Sequence, residues 1–511
     1  MSCVYFIFGH KLAAAACVQI VLDSLSCFLL YFLSVKIFRK EGVGLLASLI
    51  YACYSIAIFY TGFLLDTTLV VFLNILSFLL LLYAEEKKKA LLWVLAGVIA
   101  GLSALMKASI LLFLPFFAVW LLYVRRKEKI LKRTALDITF LIFGVIVVIA
   151  PFAVRNYVID KKFMPFPVQG GLNFFIGNNP VAEGTYISFT EIPDSPIEQV
   201  KASVRLAERE LRKEGRIPSP EKHLTQSQAS NYWFLKGLRF IVNNKYRYLR
   251  LCLKKIFLFW NAEEIYLNVN YYFCQKFIPV LNFPFFSFGI IAPFAILGFI
   301  FAIREKLRNA YPAMLFIFAQ MISLILYYVV GRYRMPAAPF IIMFCAYGIF
   351  SFKVFLNQEK LKELVVFSLL LVVLFMAVNK ERAPVNSKNN FAASYSNLGN
   401  VYFAKRMPDE AIREYKNAIK ERPDYTQAHL NLGNVYYLKN MFKEAAAEFE
   451  ETVKLDPYNG QAHNNLAVYY YYIERNSDLM VQHLSRALEY GASVNPEFLR
   501  ELMADSLKPR P

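Results

Sequence analysis

The sequence predicts an α-helical polytopic membrane protein of about ten transmembrane helices, followed by a C-terminal all-α repeat domain. Three observations carry this. Of 511 residues, 57% are hydrophobic and 19% charged, with a mean hydropathy of +0.39, whereas a soluble domain carries about 25% charged residues. Apolar stretches long enough to cross ~30 Å of hydrocarbon at ~1.5 Å per residue occur about ten times. The last quarter of the chain repeats itself every 34 residues. A soluble enzyme is thereby excluded, and 47 Phe and 32 Tyr exclude disorder. The seven Cys lie mostly inside apolar runs without disulfide or zinc spacing, and the five His form no cluster. A metal site would have to be built mainly from carboxylates.

The apolar stretches fall near 12–36, 43–61, 64–83, 90–106, 108–124, 137–154, 284–303, 311–330, 335–353 and 362–378. The two around Lys107 are short enough to form one re-entrant pair. Alternate loops hold the basic residues: Lys36 to Lys40, Lys87 to Lys89, Arg125 to Arg133, Arg304 to Arg308 and Lys353 to Lys362 carry eighteen Lys and Arg. The opposite short turns hold only Lys107, Arg332 and Arg334. Basic loops stay in the cytoplasm, so residue 1, the 155–283 segment and the C-terminal region are expected on the outer face. The net charge of +19 is then a matter of loop bias and lipid phosphates, not nucleic acid. The expected organisation is 1–154 N-terminal spans, 155–283 an extracytoplasmic loop, 284–378 C-terminal spans, 379–390 a polar linker and 391–511 repeats.

Within the loop, Lys236, Arg239, Arg247, Arg250 and Lys254 recur at helical spacing opposite Phe234, Leu238, Ile241, Leu249, Leu253 and Phe257. This pattern predicts helices lying in the membrane interface. After the linker, Asn397-Leu398-Gly399 becomes Asn431-Leu432-Gly433 and then Asn465-Leu466-Ala467. Tyr402, Tyr436 and Tyr470 follow in phase, and small Ala411 and Ala445 stand beside the ring positions Tyr415 and Phe449. The period and its agreement at several positions resemble the tetratricopeptide repeat. Leu479 replaces the small Ala in the third copy, as a capping repeat allows. Asn400, Lys405, Asn434 and Lys439 are expected on its variable surfaces, available to a protein partner or acceptor.

Charged and polar groups at the outer ends of spans are the candidates for chemistry, because placing them there costs energy unless water, a partner or a ligand compensates. Asp66, before Thr67 and Thr68, is either a helix N-cap or a carboxylate facing a cleft. Lys107 and Arg155 either grip a lipid-linked phosphate or snorkel to headgroups. Arg332 and Arg334 share a short outer turn against the charge bias, and their forked donors match phosphate oxygens. Asn156, Asn173, Asn178 and Asn179 supply amides able to orient a sugar. Asp23, about 16 Å into its helix, needs a buried polar partner, and the adjacent Glu263 and Glu264 read as solvated.

Leu65-Asp66, Arg155-Asn156, Asn173 to Pro180, Phe259-Trp260-Asn261 with Glu263-Glu264, and Arg332 to Pro336 together resemble the C-type membrane glycosyltransferases, in particular the dolichyl- and undecaprenyl-phosphate-sugar transferases for mannose and aminoarabinose. The repeats add an architectural likeness to transmembrane tetratricopeptide O-mannosyltransferases. The resemblance implies an inverting transfer of a sugar from a polyprenyl-phosphate carrier to an extracytoplasmic protein, lipid or glycan, by a multi-pass protein of the cytoplasmic membrane within the cell envelope. It assigns Asp66 to the catalytic site, as support for the base or for a metal. A divalent ion stays open, with no ligand set assigned. Lys107, Arg155, Arg332 and Arg334 fall to the donor phosphate, and Asn156, Asn173, Asn178 and Asn179 to sugar or acceptor. The family's principal catalytic Asp precedes the helix that here begins near Lys11, so the chain is expected to be the larger, N-terminally incomplete part of such an enzyme. The competing reading is a non-catalytic membrane-anchored tetratricopeptide scaffold. A transporter ranks third, for want of an internal repeat among the spans.

Overall fold

Every apolar stretch folds as helix, because a backbone in lipid must satisfy its own hydrogen bonds. The computed structural model describes residues 12–63, 65–126, 130–160, 170–186, 196–215, 224–267, 269–282, 286–357, 361–381 and 391–506. These contain no strand. They form two compact units, with the boundary between Val385 and Asn386.

The first unit opens with α1 (Leu12–Phe38), α2 (Glu41–Ala52), α3 (Ser55–Thr61), α4 (Thr67–Lys87), α5 (Ala90–Met106), α6 (Ser109–Arg125) and α7 (Leu131–Asp160). Short loop helices follow: α8 (Gly170–Gly177), α9 (Pro196–Lys213), α10 (Gln226–Asn243), α11 (Lys245–Trp260) and α12 (Tyr271–Gln275). It closes with α13 (Phe288–Arg304), α14 (Ala310–Leu326), the single turn α15 (Gly331–Arg334), α16 (Ala338–Asn357) and α17 (Leu361–Asn379).

Length and composition qualify five helices as spans, or six if α2 and α3, bent by 55°, count as one broken span. The helices α5, α6, α13 and α14 are apolar but only 17 residues long, about 25 Å against a ~30 Å core. The expectation of about ten spans thus resolves into five or six full-length ones and four short apolar helices. Burial ranks them. The span ending in α16 is 83% buried and α17 only 11%, so α16 is central and α17 faces lipid.

A close crossing in this unit joins α5 to α7. A Cβ on Gly97 would stand 2.1 Å from the Leu141 carbonyl oxygen, and one on Gly144 2.3 Å from that of Val94. Only glycine permits such an approach, which gives helices without a hydrophobic driving force their dispersion contacts. Asp23 finds the polar partner expected for it, the Tyr51 hydroxyl donating at 2.8 Å. On α11 the outward stripe is Tyr246, Leu249, Leu253 and Phe257, each at least half exposed, the face an interfacial helix turns to lipid.

The second unit stacks three helix pairs: α18 (Ala392–Ala404) with α19 (Pro408–Glu421), α20 (Thr426–Leu438) with α21 (Phe442–Leu455), and α22 (Gly460–Tyr472) with α23 (Ser477–Glu489), closed by α24 (Pro496–Ser506). Gly399 and Gly433 lie flat under the rings of Tyr415 and Phe449. Of the four side chains expected on the variable surface, Asn400, Lys405 and Lys439 are exposed and Asn434 is half-buried. Asn400 accepts from Tyr415 at 2.7 Å and from Asn431 at 2.9 Å, Asn434 accepts from Asn465 at 2.8 Å, and Lys439 pairs with Asp409. Neighbouring helices and repeats meet in a stacked array, so three of these surface side chains also tie helix to helix and repeat to repeat.

Candidate functional site

Three connections converge at one end of the spans. The first is the corner between α3 and α4, where Gln19 of α1 donates to the Leu65 carbonyl at 3.0 Å. Asp66 occupies the N-cap position of α4, yet its side chain makes no capping bond. It pairs instead with the Arg332 guanidinium on α15. The second connection is the turn between α5 and α6, which presents Lys107 with Nζ 4.1 Å above the Tyr333 ring. Lys107 does not snorkel outward. It is half-buried, and burial pushes its ammonium down to about 7, with Asp66 drawing it up and Arg332 pressing it down. The third is α15, which supplies Arg332 and Tyr333. Positions 66, 107, 332 and 333 thus form one carboxylate, two cations and an aromatic face.

Arg334, two residues on, has a different environment. Its guanidinium is buried and donates to the Phe259 carbonyl at 3.2 Å, the Asn261 carbonyl at 2.6 Å and Glu264 Oε2 at 2.7 Å. Its plane lies 3.8 Å from the centre of the Phe288 ring. Glu264 in turn accepts from the Tyr60 hydroxyl at 3.1 Å. Burial pushes its carboxyl up, and Arg334 and Tyr60 pull it back. The pair of glutamates read as solvated is buried, because Asn261 anchors their loop: its amide donates to the Val378 and Lys380 carbonyls at 2.8 Å each. Gly331 N donates to Ile265 O at 2.7 Å, which pins α15 to the same loop.

The remaining candidates stand on α7 and around α8. Arg155 is exposed near the end of α7, with Asn156 half-buried beside it. Asn173 accepts from the Tyr328 hydroxyl at 3.3 Å, and the Tyr328 ring packs 5.9 Å from that of Tyr333, so Asn173 borders the cluster. Asn178 and Asn179 are fully buried. Asn178 donates to Phe174 and Leu326 carbonyls at 2.8 Å, and Asn179 to Phe175 and Ile176 carbonyls at 2.9 Å. Their amides close the end of α8. The geometry therefore gives three groups: the Asp66, Lys107 and Arg332 cluster, which Asn173 borders through Tyr328 and Tyr333; the Arg334 lock; and the buried Asn178 and Asn179 at the end of α8.

Lys255 was not singled out by the sequence, standing in a basic helix beside four similar residues. It is wholly buried, with Nζ donating to Gly177 O at 2.9 Å, Asn178 Oδ1 at 3.2 Å and Ile325 O at 2.9 Å. A cation at the C-terminal carbonyls of α8 and α14 meets the negative ends of two helix dipoles. Burial still pushes it down to about 8. The available signal was its register, which places it off the apolar stripe of α11. Among the described residues, no group of three or more His, Cys, Asp or Glu gathers where a metal could be held.

Helical membrane spans, a charged cluster at their ends and a stacked repeat define a polytopic membrane protein with tetratricopeptide repeats. Residues 1–154 match the family described as dolichyl-phosphate-mannose-protein mannosyltransferase, and residues 396–472 match the tetratricopeptide repeat. The first match contains Asp66 and Lys107 and stops before Arg155 and Arg332. It identifies the N-terminal third as similar to a membrane glycosyltransferase, and the second identifies a protein-interaction repeat. A search of curated proteins gives no match.

Proposed function

We propose that this protein is a membrane glycosyltransferase that takes a sugar from a polyprenyl-phosphate carrier and passes it to an acceptor on the extracytoplasmic side of the cytoplasmic membrane. The observation that carries the reading is the meeting of Asp66, Lys107 and Arg332. A half-buried ammonium and a guanidinium share the field of one carboxylate, which leaves an excess positive charge at the end of the spans whenever Lys107 is protonated. A lipid-linked phosphate is the anion available at that depth. Lys107 and Arg332 hold its oxygens, as an ammonium and a forked donor do. Asp66 orients Arg332 in the resting site and yields when the phosphate arrives.

In the transfer, the bond from the anomeric carbon to the phosphate oxygen breaks as the acceptor hydroxyl oxygen bonds the opposite face of that carbon. The hydroxyl proton leaves to a carboxylate base, and the cations stabilise the released lipid phosphate. Arg334 acts at one remove, fixing α15 through Glu264. Asn173 and Arg155 remain assigned to the sugar and the entering carrier, with Asn156 beside them, and Asn178 and Asn179 hold α8 in place for them. The repeats recruit a protein partner or acceptor on the same side of the membrane.

The test uses the full-length protein with a mannosyl-polyprenyl phosphate. Arg332→Ala removes a charge-assisted contact worth ~1.5–3 kcal/mol, so donor affinity should fall by roughly one to two orders of magnitude, and Arg332→Lys should recover only part of it. Unchanged donor binding in both variants refutes the assignment.

A further inference from the structure

Residues 226–260, which form α10 and α11, hold seven Lys and Arg and no Asp or Glu. We infer that the exposed faces of these two helices form a docking surface for anionic phospholipids, with Arg239, Lys245 and Arg250 selecting their headgroups over zwitterionic ones. The other four cations are engaged within the protein. Lys236 pairs with Glu210 and Lys254 with Glu183, Arg247 donates to the Pro180 carbonyl, and Lys255 is buried against the ends of α8 and α14. Arg239, Lys245 and Arg250 are exposed, and among the described residues no carboxylate pairs with any of them.

Each helix sets its cations beside an exposed apolar stripe. Leu235, Leu238 and Val242 on α10 and Leu249 and Leu253 on α11 are between 40% and 59% exposed, and Tyr246 on α11 is 84% exposed. Spacings of three and four residues keep each trio on one side of its helix. Arg239 stands on the border of the first stripe, and Lys245 and Arg250 on opposite borders of the second. The level of this surface is set by Lys255, whose Nζ donates to Ile325 O at 2.9 Å in the last turn of α14, so α11 lies at the end of an apolar helix. There a stripe sinks into the acyl boundary, and long cationic side chains beside it reach back to the headgroups. With three such cations and no acid on either helix, the headgroup that fits carries a net negative charge. The surface uses no residue of the Asp66 cluster and does not depend on the activity proposed for it.

The experiment places the full-length protein in phosphatidylcholine nanodiscs and adds one tryptophan at the surface by Tyr246→Trp. Quenching of the added fluorescence is compared between dibrominated phosphatidylglycerol and dibrominated phosphatidylcholine, each titrated as a minor component. Both lipids should quench, with phosphatidylglycerol effective at a mole fraction about tenfold lower or less, since each of three cations contributes. Arg250→Gln should reduce that preference about fivefold, the worth of one basic residue near a headgroup. The triple variant Arg239→Gln, Lys245→Gln, Arg250→Gln should abolish it while quenching by phosphatidylcholine persists. Lys132→Gln, an exposed cation at the basic ends of the spans, is the control and should leave the preference unchanged. No quenching by either lipid would give the surface to a soluble partner and overturn the assignment. Equal quenching by the two lipids, a preference that survives the triple variant, or one that falls as far with Lys132→Gln would each overturn the selection of anionic headgroups here.

Discussion

Replacing Gly331 by Ala should unlock α15, and the structure sets the size of the effect. A Cβ at this position would stand 1.5 Å from Glu264 Oε1, 2.2 Å from its Cδ and 2.8 Å from Oε2. Real Cβ contacts essentially never fall under 3.0 Å, so the carboxylate must retreat by roughly the difference, 1.5 Å. The backbone cannot give instead, because Gly331 N is bonded to Ile265 O at 2.7 Å in the same loop. Retreat breaks the 2.7 Å bond from Arg334 and the 3.1 Å bond from Tyr60. Leaving a buried charge without its partner costs about 3–5 kcal/mol. Thermal unfolding followed by tryptophan fluorescence suits the measurement, since Trp93, Trp120, Trp233 and Trp260 all lie in the first unit. Gly170→Ala is the control, having nothing within 4 Å of its would-be Cβ. In a Glu264→Ala background, whose own cost is already paid, Gly331→Ala should add little. If it costs the same with and without Glu264, or nothing in either, the lock is wrongly described.

The other predictions concern pH and the repeats. Lys107, pushed down to about 7 by burial, binds an anion only when protonated, so donor affinity should weaken as pH rises above 7, by at most about tenfold per unit. Lys107→Arg should flatten that profile, and a profile unchanged by the substitution would remove Lys107 from the site. In the repeats, His429 meets Glu448 Oε2 at 2.6 Å, and although burial works against it, this bond and the Pro423 carbonyl raise its pKa. Its contribution is full below the unfolded value of about 6.5 and lost as pH climbs through the raised value. His483 fills the ring position of Tyr415 and Phe449 and touches His463 Nδ1 to Nδ1 at 2.8 Å. Burial, His463 and Arg486 push it down to about 4, so its contribution is present above about 6.5 and lost as pH falls from there towards 4. Hydrogen exchange at pH 7 and pH 5 should therefore show α23 losing protection while α21 keeps it, and His483→Phe should abolish the difference. Deleting residues 391–511 should raise the KM for a protein acceptor and spare turnover of a small soluble one; equal losses with both would make the repeats structural.

The sequence by itself determined the helices and the repeat, because both rest on local pattern. An apolar run must be helical in lipid wherever it packs, and a 34-residue period has the same meaning in any context. What it could not assign was the partner of each charge. Arg332 and Arg334 stand two residues apart on one turn and look equivalent in the chain, yet one meets Asp66, 266 positions away, and the other Glu264, 70 positions away. Asn178 and Asn179 sit in a text of turn residues that suggests an open loop, while the fold buries both at the end of α8. Lys255 is one of several basic residues on α11, and only the approach of two helix ends makes it a clamp. Solvation of a charged group in water needs no particular neighbour, but burial demands one, and that neighbour is chosen by how distant helices pack. For that reason the candidate residues could be read from the chain, whereas their division into a ligand-facing cluster, a lock and a helix end was decided by the tertiary structure alone.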